Sequence, residues 1–70
     1  MTDIMIIGVK IQYYRKQFSM TQEELAKRLD LSVAFLSRVE RGKSHISLKR
    51  LAELSQMLDV SISYLLEGSV

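Results

Sequence analysis

Apolar residues recur along this chain with the period of an α-helix. Near its start they are spaced at intervals of four, three and four positions: Ile7, Ile11, Tyr14 and Phe18. This spacing places them on one face of a helix, so we predict helix 1 from about Ile6 to Phe18 with that face in the core. We interpret the apolar residues 4–7 as the lead-in to helix 1, with a dimerisation arm as the alternative.

A repeated signal marks the start of four further helices. An apolar residue precedes a Ser or Thr, and another apolar residue follows four positions after that hydroxyl; the hydroxyl residues are Thr21, Ser32, Ser47 and Ser61. This frame is typical of an N-cap hydroxyl flanked by a hydrophobic staple. Glu24, three residues after the first hydroxyl, completes a capping box.

The apolar spacing after each cap predicts how far the helix runs and which face it buries. The predicted helices are 2 (Gln22–Leu29), 3 (Val33–Arg41, then Gly42), 4 (Leu48–Leu58) and 5 (Ile62 to about Glu67, then Gly68). The residues expected inside are Leu25, Ala26 and Leu29; Phe35, Leu36 and Val39; and Leu48, Leu51, Leu54 or Ser55, and Leu58. Short connections make neighbouring helices pack directly, which predicts an all-α, compact five-helix domain covering residues 1–70.

Composition narrows the possible chemistry. The 70 residues are 47% hydrophobic, with no proline and no cysteine, and His45 is the one histidine. Disulfides and a metal cage are therefore not expected, nor is a cofactor or a small-molecule ligand. The chain also has no glycine-rich phosphate loop and no acid paired with its histidine, so we expect no catalysis. The apolar runs are too short to cross a membrane.

Charge is distributed unevenly along the chain. Residues 1–50 carry ten basic and five acidic side chains, a net +5, whereas residues 51–70 carry three acidic side chains and no basic one. This asymmetry suits a domain with one end facing a polyanion and the other facing a partner or solvent, although an ordinary solvated surface has the same composition.

Helices 2 and 3 with their short connection form a helix–turn–helix, a motif whose second helix can enter the DNA major groove. Once its buried positions are removed, helix 3 retains a polar, small and basic face. The predicted base-contacting residues on it are Ser32, Val33, Ala34, Ser37 and Arg38. Arg38 is the one long donor among them, and bidentate contact with guanine is the commonest specific readout. The alternative is that Arg38 is a solvated surface residue.

Phosphate contacts are expected at helix ends. Gln22 is the first residue of helix 2, where backbone N–H groups and the helix dipole favour an anion. The other predicted phosphate-contacting residues are Thr21 before that helix and Arg41, Lys43 and Ser44 at the exit of helix 3. Four further cations are weaker candidates: Lys27, Arg28, Lys49 and Arg50.

In combination these residues resemble the phage-repressor (XRE, Cro/cI-type) helix-turn-helix family. The resemblance covers about residues 6–67 and is carried by Ile7-Gly8, Ile11, Arg15, residues 21–26, Leu31-Ser32, residues 35–43, Leu51, Leu54, Leu58, Val60 and Leu65-Leu66. It implies a lambda-repressor-like fold in which Gln22 contacts phosphate, helix 3 reads bases and Arg15 pairs with Glu40.

The chain departs from the family's pattern at two turns and one loop. Ser19 and Asp30 stand where glycine is frequent, and His45-Ile46 replaces a usual Asn-Pro. Aspartate tolerates the left-handed backbone region better than most residues, so the second change is mild. Ser19 implies a different or slightly strained end to helix 1, and the change at His45-Ile46 implies backbone contacts of that loop that differ from the family's.

We therefore expect a sequence-specific regulator of transcription that binds double-stranded DNA in the bacterial or phage-infected cytoplasm, at the nucleoid. It is expected to be a small repressor reading a palindromic operator as a homodimer paired through helix 5 and the end of helix 4. The alternative is an antitoxin-like or adaptor module that kept the fold and binds proteins, because the acidic, apolar C-terminal segment suits a partner as well as a second copy.

Overall fold

The computed structural model describes residues 4–67. In this range it contains five helices: α1 (Ile4–Gln17), α2 (Gln22–Leu29), α3 (Val33–Glu40), α4 (Leu48–Met57) and α5 (Ile62–Leu66). The five predicted helices are present, with several ends displaced by one or two residues; Gly68, expected after the last, lies outside the described residues. The apolar residues 4–7 form the first turn of α1, so they belong to the helix and are not a lead-in to it. None of these helices is both long enough and apolar enough to cross a bilayer.

The four hydroxyl caps determine where α2 to α5 begin. Each predicted Ser or Thr accepts a hydrogen bond from the backbone N–H three residues later. At α2 the capping box is complete: the Glu24 N–H donates to Thr21 Oγ1 over 3.0 Å, and the Thr21 N–H donates to Glu24 Oε1 over 2.9 Å. These local bonds satisfy N–H groups that have no partner within the helix, so each start is specified by a few neighbouring residues.

Within the described range, three non-glycine residues adopt left-handed backbone conformations where helices end. Ser19, Asp30 and Asp59 have φ values of 56°, 58° and 56°, and Gly42 has 71°. Asp30 and Gly42 behave as the sequence predicted, and Ser19 carries the strain expected of a residue with a Cβ at such a position. Asp59 was not foreseen. These reversals keep three of the connections short. Helix α2 packs on α3 and α4 packs on α5, whereas α1 packs on α3 and α5.

Among residues 4–67, twelve apolar side chains form the core, and eight of them lie on α2, α3 and α4 or at the end of α4. The core consists of Ile7, Ile11, Met20, Leu25, Ala26, Leu29, Leu36, Val39, Leu51, Leu54, Leu58 and Leu65. Tyr14 and Phe35, which the sequence also placed in the core, are partly buried and pack against this cluster.

Two residues were wrongly assigned to the core. Phe18 is 49% exposed because α1 ends at Gln17 and the chain reverses at Ser19, so the helical stripe does not continue to Phe18. Leu48 is 66% exposed because it is the first residue of α4, and helical side chains lean back towards the N-terminus, here beyond the end of the helix.

Helix α1 crosses the C-terminal end of α3 at Gly8. A Cβ atom at Gly8 would lie 2.7 Å from the carbonyl oxygen of Glu40 and closer still to that of Val39. No larger residue fits without moving backbone, because the neighbouring atoms cannot rotate away. The two helices therefore meet backbone to backbone, which fixes the tilt of α3.

Helix α5 is attached to α1 by a lysine and an aromatic pair. Lys10 Nζ donates to the carbonyl oxygens of Tyr64 and Glu67, both over 2.7 Å, and lies 4.4 Å from the centre of the Tyr64 ring. The rings of Tyr14 and Tyr64 meet edge to face at 5.8 Å. The cation satisfies carbonyl groups at a helix C-terminus, where positive charge is favourable.

Candidate nucleic-acid interface

The outer face of α3 is open to solvent. Val33 is 40% exposed. Ser32, Ala34 and Arg38 are also exposed, and Ser37 is half-buried. The opposite face buries Leu36 and Val39 completely. All five residues predicted to contact bases therefore lie on or beside a surface that no other described part of the chain covers.

The side chain of Arg38 is held at two points. Its Nε donates to Ser44 Oγ over 3.3 Å, and its Cζ lies 5.7 Å from the centre of the Phe35 ring. No acceptor among residues 4–67 bonds its two Nη atoms. Arg38 is therefore an exposed side chain with two intramolecular contacts and with unused donors on its two Nη atoms.

A buried ion pair joins α1 to α3 directly behind this face. Arg15 Nε donates to Glu40 Oε2 over 2.7 Å, and Arg15 Nη2 donates to Glu40 Oε1 over 3.0 Å. Arg15 Nη1 also donates to the Met20 carbonyl over 2.7 Å. Because the two residues are only 7% and 4% exposed, the bidentate geometry is what makes their burial tolerable. The structure thus contains the pair that the family resemblance implied.

Gln22 connects α2 to the Arg15–Glu40 ion pair. Its Nε2 donates to Glu40 Oε1 over 3.0 Å, so Glu40 receives hydrogen bonds from α1 and α2 while lying on α3. A planar amide with one N–H fixed points its second N–H in a defined direction. Nothing in the sequence pattern indicated this bond, because the two residues are eighteen positions apart.

The start of α2 carries an exposed hydroxyl and a free backbone donor. The Thr21 N–H donates to Glu24 Oε1, and the Thr21 hydroxyl oxygen accepts from the Glu24 N–H. The same backbone N–H, with the hydroxyl second, lowers the pKa of the Glu24 carboxyl below its usual value. The backbone N–H of Gln22 has no acceptor among the described residues.

The exit of α3 is cationic and turns sharply. Arg41 is exposed and its Nε donates to the Ser37 carbonyl over 3.3 Å. Lys43 is exposed, and Ser44 is half-buried beside Arg38. Among the weaker candidates, Lys27, Arg28 and Lys49 are exposed, whereas Arg50 pairs with Glu53 over 3.1 Å.

Comparison with known proteins identifies the family. The family model described as helix-turn-helix matches residues 11–65, a range that contains α2, α3 and α4. The chain belongs to the phage-repressor-type (XRE) helix-turn-helix family. The family and the lambda-repressor-like fold that the sequence suggested are thereby confirmed.

One relative and two solved structures of this family are instructive. The HTH-type transcriptional regulator DicA of Escherichia coli (strain K12) is 40% identical over 67 residues, which cover 96% of this chain and 50% of DicA. The P22 c2 repressor, solved with a synthetic operator, is 32% identical with a TM-score of 0.81 and coverage of 90% of this chain and 96% of that chain. SinR, a master regulator of biofilm formation solved with DNA, is 35% identical with a TM-score of 0.79 and coverage of 87% and 98%. The chain spans about half the length of several curated relatives it matches.

Proposed function

We propose that this protein is a sequence-specific regulator of transcription, a repressor that inserts α3 into the major groove of double-stranded DNA. The observation that carries the proposal is the contrast between the two sides of α3. Its outer side from Val33 to Arg38 is solvent-accessible, while its inner side is fixed by core packing and by the Arg15–Glu40 pair. The family's helix-turn-helix and the two relatives solved with DNA support the same role.

The proposed base contacts follow from the chemistry of each exposed side chain. The unused Nη donors of Arg38 suit the O6 and N7 acceptors of guanine. Val33 and Ala34 have no donors, and small apolar groups pack against a thymine methyl. Ser32 and Ser37 carry hydroxyls that accept or donate and so suit either a base edge or a phosphate.

The proposed phosphate contacts lie on either side of α3. At the start of α2, the second amide N–H and the backbone N–H of Gln22 are available, and the exposed Thr21 hydroxyl lies beside them. At the exit of α3, Arg41, Lys43 and Ser44 supply two cations and a hydroxyl. Each phosphate neutralised by a cation steepens the salt dependence of binding by about 0.9 in log–log slope.

We further propose that two copies pair through α5 and the end of α4 on a palindromic operator. Tyr64 is 38% exposed, and Met57, Ile62 and Leu66 are only half-buried, so apolar surface remains there. Pairing places two recognition helices in grooves about 34 Å apart. Sedimentation of the protein on its selected site should give two protomers per site; one protomer per site contradicts the pairing. The proposed setting is the nucleoid of a bacterial or phage-infected cell.

Binding-site selection from random duplex DNA, followed by anisotropy titrations on the selected site, tests the function. Arg38→Ala should relax discrimination at one base pair by about 1–3 kcal/mol. Lys43→Ala should instead weaken all sequences alike and reduce the salt slope by about 1, whereas Lys16→Ala, the matched loss of one exposed charge outside the interface, should do neither. Wild-type protein that binds no duplex in a salt-dependent way would reject DNA binding and favour the protein-interaction module.

A further inference from the structure

Two neighbouring side chains, Ser44 and Phe35, contact Arg38, and the DNA-binding proposal alone does not require either contact. We propose that Ser44 and Phe35 are positioning residues that set the orientation in which Arg38 meets its base, and that Ser44 couples this orientation to a phosphate. The inference rests on the proposed DNA-binding function. It makes Ser44 a determinant of sequence specificity, whereas a phosphate contact by itself carries no sequence information.

The position of Ser44 is fixed by the backbone of the turn before it. The Lys43 N–H donates to the Arg38 carbonyl over 2.8 Å, and the Gly42 N–H donates to the Val39 carbonyl over 3.0 Å. With Gly42 in the left-handed region, this pair of bonds is a Schellman motif. The chain reverses there and brings Ser44 back beside the last turn of α3.

The two supports act on different parts of the guanidinium. Ser44 Oγ accepts from Nε, and the Phe35 ring lies 5.7 Å from Cζ, within the range of a cation–π contact. With Nε occupied, the four hydrogens on the two Nη atoms remain for a base, so the group is presented end-on. A long, flexible side chain oriented before binding loses less conformational freedom when it binds.

The hydroxyl of Ser44 can serve both partners at once. A serine hydroxyl accepts through its oxygen and donates its single proton, so Ser44 can accept from Arg38 and donate to a phosphate oxygen. Donation to the phosphate polarises the oxygen and strengthens the bond from Nε, because linked hydrogen bonds reinforce one another. The phosphate, Ser44, Arg38 and the base then form one connected chain.

The decisive experiment compares Ser44→Ala with Ser44→Thr on the selected operator and on its substitutions at every base pair. The base pair read by Arg38 is the one where Arg38→Ala removes the preference. Ser44→Ala should lower discrimination at that base pair roughly two- to tenfold, the range of one net hydrogen bond. Ser44→Thr keeps the hydroxyl and should preserve it, and Gln17→Ala, an exposed polar residue at the end of α1, should change nothing.

Two further measurements separate positioning from a simple structural role. In an Arg38→Ala background, Ser44→Ala should alter affinity for all sequences equally, because no guanidinium remains to be oriented. In the free protein, Ser44→Ala should shift the NMR resonance of Arg38 Nε–H, whereas Gln17→Ala should not. Phe35→Leu should lower the same discrimination. A thermal melt tests whether this variant is folded, and the Ser44 variants decide the question if it is not.

The outcomes are distinct. Selective wild-type binding combined with a uniform loss in Ser44→Ala overturns this inference and leaves Ser44 as an ordinary phosphate contact. An unchanged Arg38 Nε–H resonance in Ser44→Ala also overturns it. Failure of the wild-type protein to bind any duplex refutes the proposed function and, with it, the reading role of Arg38.

Discussion

Replacing Arg15 by methionine should be among the most damaging single changes in this domain. The variant keeps a long apolar stem but removes the guanidinium. Glu40, 4% exposed, is then left with the Gln22 amide as its one side-chain donor, and the Met20 carbonyl loses its bond from Arg15. A buried carboxylate has almost no access to water that could compensate for the lost charge.

The magnitude follows from the size of the domain. Breaking a buried pair by removing one partner costs about 3–5 kcal/mol. At roughly 0.05–0.15 kcal/mol per residue, the 70 residues have a total stability of only about 3.5–10 kcal/mol. We therefore expect Arg15→Met to lower Tm by roughly 12–40 °C, and to be largely unfolded at 37 °C if the native stability lies at the low end.

Circular dichroism with thermal and urea unfolding measures this loss, and a double variant tests its cause. Arg15→Met combined with Glu40→Leu removes both charges, so it should recover much of the stability that the single variant loses. A double variant as unstable as Arg15→Met would show that the loss arises from packing and not from an unpaired charge. A single variant within about 1 kcal/mol of the native protein would refute the argument from burial.

Three other predictions concern the supports of the fold. Gly8→Ala should destabilise by about 2 kcal/mol in urea unfolding, because a backbone clash of about 3 kcal/mol exceeds a gain in helix propensity of about 1 kcal/mol. Val9→Ala, on the exposed side of the same helix, is the control, and a stabilised Gly8→Ala would contradict the close contact. The pKa of Glu24 is lowered in the folded protein, so this carboxylate contributes stability at neutral pH that is lost as the pH falls through that pKa. Glu24→Gln should therefore reduce the fall in Tm on acidification below about pH 4, and an unchanged acid dependence would count against the capping box. Lys10→Met removes the two hydrogen bonds that attach α5 to α1, so it should lower the free energy of unfolding by about 1 kcal/mol and increase hydrogen exchange in α5. Lys16→Met should do neither, and equal exchange in both variants would exclude this attachment of α5 by Lys10.

The parts of the fold that sequence predicted best are those with local causes. The frame around Thr21, Ser32, Ser47 and Ser61 fixed the starts of four helices, because a cap involves residues only three positions apart. The errors at Phe18 and Leu48 lie at helix ends. At Phe18 the apolar spacing continues in the sequence after the chain has turned, and at Leu48 the side chain leans beyond the first turn of α4.

The candidate site divides in the same way. The exposed face of α3 followed from subtracting buried positions, since helical periodicity decides both faces together. The bond from Gln22 to Glu40 and the contact from Arg38 to Ser44 could not be predicted, because they join side chains whose proximity depends on tertiary packing and on the turn at Gly42. The Arg15–Glu40 pair came from family resemblance, because no spacing rule relates a residue of α1 to one of α3.

The contact at Gly8 has a consequence for redesign. Main-chain atoms that touch directly have no rotamers to exchange, so the scaffold beneath α3 tolerates new outward residues without readjusting. Val33 and Ala34 contribute nothing to the core cluster or to the ion pair. A library randomised at those two positions should consequently yield members with altered operator preference and nearly parental melting behaviour, which makes the domain a suitable starting point for retargeting.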